Sequence, residues 1–139
     1  MLDPLRATVG IASSGLEAQS SRLRILSENL ANAQSTGATP GADPYRRKLI
    51  SFESELDEAT GGEIVKVGDI QQSTAPFDTE YNPGHPAADA NGIVKLPNVN
   101  VLTEIADMRE ASRGFEANLQ VIKEARDLIS MTIDLLRSG

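Results

Sequence analysis

Cysteine and tryptophan are absent from the 139-residue sequence, and aromatic residues make up only 4% of it. The absence of cysteine excludes disulfides, a catalytic thiolate and the cysteine-ligated types of zinc site. Hydrophobic residues still reach 40%, so the apolar content is mostly aliphatic. An aliphatic-rich, aromatic-poor composition suits the seams between helices better than a thick globular core.

Excess positive charge and long apolar runs are also lacking. The formal net charge is −7, which argues against nucleic acid or an anionic membrane as the main partner. No apolar run approaches the ~20 residues that a transmembrane helix needs, so no direct membrane insertion is expected. The N-terminus lacks a basic flank followed by a continuous apolar core, so no cleavable signal peptide is expected. These features predict a soluble protein that is made in the cytoplasm.

The C-terminal part of the chain, residues 99–139, carries a long stripe of apolar residues. They recur at alternating steps of three and four, a seven-residue period that predicts a helix needing a partner along its length. The stripe has no internal proline and one glycine, Gly114. We predict that its assembly seam consists of Ile105, Met108, Phe115, Leu119, Ile122, Ile129, Ile133 and Leu136.

The N-terminal part, residues 1–36, repeats the same spacing. Asp3 and Pro4 suit a first helical turn, because Asp caps free N–H groups and Pro tolerates that position. Gly10 and Gly15 each weaken a helix by about 1 kcal/mol relative to Ala. The two terminal helices are predicted to pair as a coiled-coil-like bundle. The assembly seam predicted for the N-terminal helix is Leu16, Leu23, Leu26 and Leu30.

The middle of the chain, residues 37–98, is rich in proline, glycine and acidic residues. Residues 45–52 and 64–71 are the best strand candidates, and residues 93–96 follow an Asn-Gly turn as a third short strand. The predicted fold class is therefore mainly α, with a small β-rich insert carried between the two long helices.

His85 is the only histidine. It could act as a general base or a metal ligand, with Asp89 nearby. The sequence offers it no second histidine, no thiol and no recognisable nucleophile, so a local role in a loop is strongly favoured. We predict no catalytic, cofactor-binding or metal site, and hence no enzyme.

Two charge clusters interrupt the insert. Glu53, Glu55, Asp57 and Glu58 lack the alternating oxygen ligands and the glycine of a calcium loop, so they favour a solvated surface. The basic cluster at residues 46–48 is too short to indicate nucleic-acid binding. It suits an acidic surface on a partner better.

Polar residues also interrupt the two seams, at Gln19, Ser112 and Arg126. They are either tolerated where the helix faces water, or they fix the register and the number of partners, as buried polar groups do in coiled coils. The sequence leaves both interpretations open.

Three motifs resemble those of bacterial flagellar rod and hook proteins. The N-terminal motif spans residues 14–33 and the C-terminal one spans residues 104–118, while the loop at 83–101 resembles more narrowly a protein of the proximal rod. Phe115 and Ile93 stand where the family leads us to expect tyrosine. The residues that carry the resemblance are Ser27, Asn29, Asn32, Pro83, Gly84, His85, Pro86, Asn98, Arg113, Glu116 and Asn118.

The resemblance implies a structural subunit of the proximal rod of the flagellar basal body. Such a subunit would assemble with its own copies and other rod proteins into a hollow drive shaft that spans the periplasm. It would leave the cytoplasm through the flagellar type III export apparatus. The pair Phe52 and Leu56 resembles the short aromatic-to-aliphatic export signal of these subunits.

Two other classes of function stay open on the residues alone. A soluble coiled-coil adaptor that binds a separate partner helix would explain the heptads but not the loop motif. An enzyme that uses His85 is a more distant alternative.

Overall fold

The computed structural model describes residues 2–139 and shows two long helices with six short strands between them. Helix α1 is Leu2–Ala31 and helix α2 is Val101–Ser138. The strands are β1 Lys48–Leu49, β2 Phe52–Leu56, β3 Glu63–Val67, β4 Gln71–Gln72, β5 Asp78–Tyr81 and β6 Ile93–Leu96. The predicted fold class, long terminal helices around a small β-rich insert, is confirmed. The division into 1–36, 37–98 and 99–139 stays a prediction.

Both helices begin at residues suited to their ends. Asp3 lies in the first turn of α1, where a carboxylate favours the helix dipole. Asn100 caps α2, because its Oδ1 accepts hydrogen bonds from the backbone N–H groups of Leu102 (3.0 Å) and Thr103 (3.2 Å). Within residues 2–139, neither helix combines the length and the apolarity that crossing a membrane requires.

The chain forms two compact units. Unit 1 contains the residues up to Leu23, Ser51–Gly68 and Arg109–Gly139, and unit 2 contains Arg24–Ile50 and Asp69–Met108. Each unit therefore includes part of both helices.

In unit 1 the helices run antiparallel. Gly15 lies against Asn118, Gln19 lies against Gly114, and the Arg22 guanidinium is 3.6 Å from a Glu110 carboxylate oxygen. The buried side chains along this contact are small or aliphatic, because small residues let two helices approach closely. They are Ala12, Ala18, Ala111, Ile122 and Ala125.

Strands β2 and β3 form an antiparallel hairpin in unit 1. Gly61 adopts a φ of 71° in its turn, a conformation that favours glycine. The hairpin is tied to α1 through the Val65 N–H, which donates to Ser14 Oγ at 3.1 Å. The acidic side chains of β2 are exposed, and Glu55 pairs with Lys66 at 2.7 Å.

Unit 2 holds two small antiparallel pairs, β1 with β4 and β5 with β6. Val94, Ala87 and Ala88 form its apolar cluster, against which Leu96 packs. The prediction of a strand at residues 93–96 is confirmed by β6.

The strand predicted over residues 45–52 is wrong for most of its length. Only Lys48 and Leu49 pair there, and β2 begins at Phe52. The backbone N–H groups of Arg47 and Lys48 donate instead to side-chain oxygens of Asn98 (2.7 Å) and Asn29 (2.9 Å). Because side chains occupy these groups, a long ladder cannot form. The predicted strand 64–71 likewise stops at Val67.

Candidate functional site

The C-terminal half of α2 carries an exposed apolar face. Leu128 is 50% exposed, Met131 is 60% exposed, and Leu135 and Leu136 are each 73% exposed. Large apolar side chains in such a row mark an interaction surface. We define the exposed apolar face as Val121, Leu128, Met131, Leu135 and Leu136, which share one side of α2 because a helix has about 3.6 residues per turn. Leu119 and Ile133 are exposed on the other side of the helix.

The antiparallel register accounts for the exposure of the C-terminal end of this face. Continuing the pairs Gly15–Asn118 and Gln19–Gly114 along both helices brings Leu2 level with Met131. The last seven residues of α2, Thr132–Ser138, therefore extend past the described end of α1. Among residues 2–139, no α1 residue lies level with them, and Ile133, Leu135 and Leu136 are exposed there.

The seam predicted for α2 divides between two surroundings. Ile122 is buried, and Ile105, Met108, Phe115 and Ile129 are half-buried. The other three members, Leu119, Ile133 and Leu136, are exposed. In the seam predicted for α1, Leu26 is buried, and Leu16, Leu23 and Leu30 are half-buried. Whether these residues form an assembly seam stays a prediction.

The observed contact between the helices passes through Ala111, Asn118 and Ala125. The seven-residue pattern predicted contacts one position later, at residues 112, 119 and 126. Close packing selects the small side chains, so the larger aliphatic ones are displaced towards solvent. Ser112 and Arg126 are consequently exposed, and Gln19 is the interrupting polar residue that lies within the contact.

Unit 2 contains a buried polar cluster centred on Asn29, which is fully buried. Its Nδ2 donates to Lys48 O (2.9 Å) and to Glu104 Oε2 (3.2 Å). Its Oδ1 accepts from Lys48 N (2.9 Å) and from the Tyr45 hydroxyl (2.7 Å). One amide therefore joins α1, the start of the insert and the first turn of α2.

Glu104 is also fully buried, and its charge is balanced by Arg47. The Arg47 Nε–H donates to Glu104 Oε1, and the same guanidinium is 3.6 Å from a carboxylate oxygen of Asp107. Removing one member of a buried ion pair typically costs about 3–5 kcal/mol, because the other charge is left unpaired. This cluster is therefore a determinant of the local fold of unit 2.

Burial raises the pKa of Tyr45 to about 12, and the carboxylates of Glu28 and Glu104 contribute to the shift. Each cause disfavours the phenolate: burial removes it from water, and the carboxylates repel it. Tyr45 is therefore held as a neutral hydrogen-bond donor to Asn29.

The basic cluster at residues 46–48 serves the chain itself, which corrects the prediction of an acidic partner surface. Arg47 pairs with Glu104, and Lys48 Nζ donates to Glu28. The Arg46 guanidinium lies 4.2 Å from the centroid of the Phe77 ring. Such a cation–π contact is typical of a partly buried arginine.

The His85 loop is held together by local hydrogen bonds. His85 Nδ1 accepts from the Ala87 N–H at 3.0 Å, and Asp89 Oδ1 accepts from the N–H groups of Asn91 and Ile93. Pro83, Gly84 and Pro86 are exposed. Within residues 2–139, no group of His, Asp or Glu side chains is arranged to hold a metal ion.

The remaining motif residues fall into three groups. Asn98 and Asn32 organise loops: Asn98 Nδ2 donates to Ala75 O at 3.0 Å, and Asn32 Nδ2 donates to Glu28 O at 2.9 Å. Asn118 is half-buried against Gly15. The exposed group consists of Ser27, Arg113 and Glu116.

Phe52 and Leu56, the predicted export signal, lie on β2. Because side chains alternate along a strand, residues four apart share one face. Phe52 is 38% exposed and Leu56 is 62% exposed. The pair is thus accessible in unit 1, and its role in export stays a prediction.

Comparison with known proteins identifies the family. Residues 11–39 match the family described as flagella basal body rod protein, and residues 90–135 match the one described as flagellar basal body rod FlgEFG protein C-terminal. The flagellar basal-body rod protein FlgC of Agrobacterium fabrum is 63% identical over 138 residues, which cover 99% of each chain. FlgC of Salmonella typhimurium is 43% identical over 127 residues, 90% of this chain and 92% of the relative.

The chain belongs to the FlgC family of flagellar basal-body rod proteins. The similarity extends to FlgC of Bacillus subtilis, 29% identical over 143 residues. As a member of the FlgC family, the chain is a structural rod subunit of the basal body and not an enzyme. The predictions of family, fold and structural role are confirmed.

Sequence reasoning missed the polar cluster of unit 2. It assigned the basic cluster at residues 46–48 to a partner's acidic surface, and it gave Tyr45 no role beyond a strand. It noted Glu104 only as the first residue of a motif. One signal was present: Glu104 is a carboxylate that precedes the apolar stripe of α2, and Asn29 interrupts the apolar end of α1. Neither position revealed that the insert would supply the hydrogen-bond partners.

Proposed function

We propose that this FlgC-family subunit joins the proximal rod by burying the exposed apolar face of α2 against helices of neighbouring subunits. The neighbours are other copies of the chain and other rod proteins. Head-to-tail contacts that do not close a ring build a helical shaft, which we propose to be hollow, to span the periplasm and to transmit torque. The half-buried seam residues Leu16, Leu23 and Leu30 contribute where α1 faces a neighbour, and the buried Leu26 supports them from within the subunit.

One observation carries this proposal: the exposed apolar face continues along α2 past the end of α1. Fully burying one leucine side chain stabilises a contact by about 1.5–3 kcal/mol. The five large apolar side chains of the exposed apolar face thus represent a large surface that the chain itself does not bury. A neighbouring helix of similar length would cover it.

We also propose that the subunit reaches its site through the flagellar type III export apparatus, without a cleavable signal peptide. The exposed pair Phe52 and Leu56 supports this route, because an apparatus that threads chains can read a short linear segment. The resemblance to exported rod and hook subunits points the same way.

The assembly surface is tested by Leu128→Asp in a strain that lacks its own copy of the gene. A charge buried without a partner opposes association. We expect at least a roughly tenfold loss of incorporation into isolated basal bodies, which corresponds to about 1.4 kcal/mol, together with loss of swimming.

Ser130→Asp is the matched control, because Ser130 is exposed on the same helix and the variant gains the same charge. It should assemble normally. Circular dichroism of both purified variants checks that the helices form. Normal incorporation of Leu128→Asp would contradict the proposal.

A further inference from the structure

Two glycines in unit 1 each lie beneath an amide side chain of the opposite helix. A Cβ built on Gly15 would lie 2.6 Å from Nδ2 and 2.9 Å from Cγ of Asn118. A Cβ built on Gly114 would lie 2.9 Å from Nε2 and 3.1 Å from Cδ of Gln19. Only glycine leaves room for the amides where they lie.

The two pairs are related by the antiparallel arrangement of the helices. Gly15 and Gln19 are one turn apart on α1, and Gly114 and Asn118 are one turn apart on α2. Each helix thus contributes one glycine and one amide. Gly114 is the only glycine of α2, so sliding the helices by a turn or a heptad would press Gln19 against a residue that has a Cβ.

Neither feature of this arrangement favours stability by itself. The Gln19 Oε1 atom is buried and accepts no hydrogen bond from any of residues 2–139, and such a group costs free energy. A glycine within a helix costs about 1 kcal/mol relative to alanine. Polar groups at helix contacts are nevertheless known to specify register at the expense of stability.

We propose that the two glycine–amide pairs, Gly15 with Asn118 and Gly114 with Gln19, set the register of α1 on α2. We call them the glycine–amide lock. Gln19 and Asn118 are its specificity-determining residues, because a Cβ opposite either amide would lie less than 3 Å from one of its atoms. The lock concerns the pairing of helices within one chain, so it stands apart from the proposed assembly of the rod.

The effect of Gly15→Ala on stability distinguishes the glycine–amide lock from an effect of helix propensity alone. Propensity alone predicts that Gly10→Ala, Gly15→Ala and Gly114→Ala all raise the urea midpoint of the purified chain. The lock predicts that Gly15→Ala lowers it, whereas Gly10→Ala raises it, because nothing lies within 4 Å of a Cβ at Gly10. With Asn118→Ala also present, Gly15→Ala should no longer lower the midpoint and should raise it above that of Asn118→Ala alone, because the amide that meets the new Cβ is gone. A higher midpoint for Gly15→Ala would overturn the proposal.

Register is read directly by cross-linking, since the chain has no native cysteine. Arg22→Cys with Glu110→Cys reports the observed register, and Arg22→Cys with Ala117→Cys reports a slip of one heptad. With the lock intact, a short bis-maleimide should link only the first pair. Replacing both amides, by Gln19→Leu and Asn118→Leu, should preserve helix content yet permit the second link. Linkage confined to the first pair in that folded variant would overturn the proposal.

Discussion

At the scale of single residues, Asn29 determines much of unit 2. Its amide offers donors and acceptors at once, and it uses them on Tyr45, Lys48 and Glu104. A leucine or an aspartate at this position could not satisfy all of these groups. Side-chain hydrogen bonds therefore hold the start of the insert where a strand ladder would otherwise form.

Tyr45 makes this cluster sensitive to alkaline pH. Its pKa rises from 10.0 in the unfolded chain to about 12 in the fold, so its contribution to stability is complete below pH 10 and is lost as pH rises through about 12. We expect the free energy of unfolding of the wild type to fall across this interval by more than that of Tyr45→Phe. Urea titrations at several pH values measure the difference.

Tyr81 supplies the control for this comparison, because it is the only other tyrosine and is 71% exposed. Tyr81→Phe should retain the alkaline loss seen in the wild type. An identical pH dependence in wild type and Tyr45→Phe would show that the tyrosine hydroxyl does not couple to folding.

At the scale of elements, α2 presents two different faces. Small residues, among them Ala111, Gly114 and Ala125, pack against α1 together with Ile122, while most large aliphatic residues in the C-terminal half of α2 face solvent. The heptad pattern indicated a single seam because it marks apolar positions without regard to side-chain size. Close approach of the helices favours the small residues, and the large ones remain for a neighbour.

Helix α1 is unequal along its length, which predicts uneven hydrogen exchange. No residue from Leu2 to Ile11 is buried, whereas Ala12, Ala18, Ile25 and Asn29 are. In dilute subunit we expect amides in the first segment to exchange rapidly and those after Ala12 to be protected. Mass spectrometry of deuterium uptake tests this.

Assembly into the rod should slow the hydrogen exchange of residues 2–11. If neighbouring helices cover these residues in the rod, their amides become protected in isolated basal bodies. Strong protection of residues 2–11 in the free monomer would contradict the idea that this part of α1 requires a partner.

At the scale of the whole molecule, two separate segments of the chain are predicted to serve different steps. The proposed export signal lies in β2, and the exposed apolar face lies in α2. A chain that ends at Pro97 keeps the first and lacks the second. We expect it to be secreted through the flagellar apparatus but never incorporated into a rod.

Fractionation of cells that make the truncated chain tests this prediction. The truncated chain should reach the periplasm or the medium only in cells with a functional export apparatus, and it should be absent from basal bodies. The same truncation carrying Phe52→Ala and Leu56→Ala is the matched control and should stay in the cytoplasm. Retention of the unmodified truncation as soluble, undegraded protein would place export information in α2.

The sequence by itself determined the element types and the family. A seven-residue apolar period over both ends predicts long helices wherever they lie, because that period is a local property of the chain. The strand at Ile93–Leu96, with a turn signal before it, was likewise readable. The motifs around Asn29, His85 and Asn118 carried the resemblance to flagellar rod proteins.

Only the tertiary structure decided which apolar residues are covered and how polar groups are paired. The observed helix contact at Ala111, Asn118 and Ala125 lies one residue before the predicted apolar stripe. This shift depends on side-chain size at the contact, and the spacing of apolar residues carries no information on size. The pairing of Arg47 with Glu104 joins residues far apart in sequence. Gly114 is the one glycine of the C-terminal stripe, and only the structure shows that Gln19 lies over it, because a close contact between two helices depends on the residues of both.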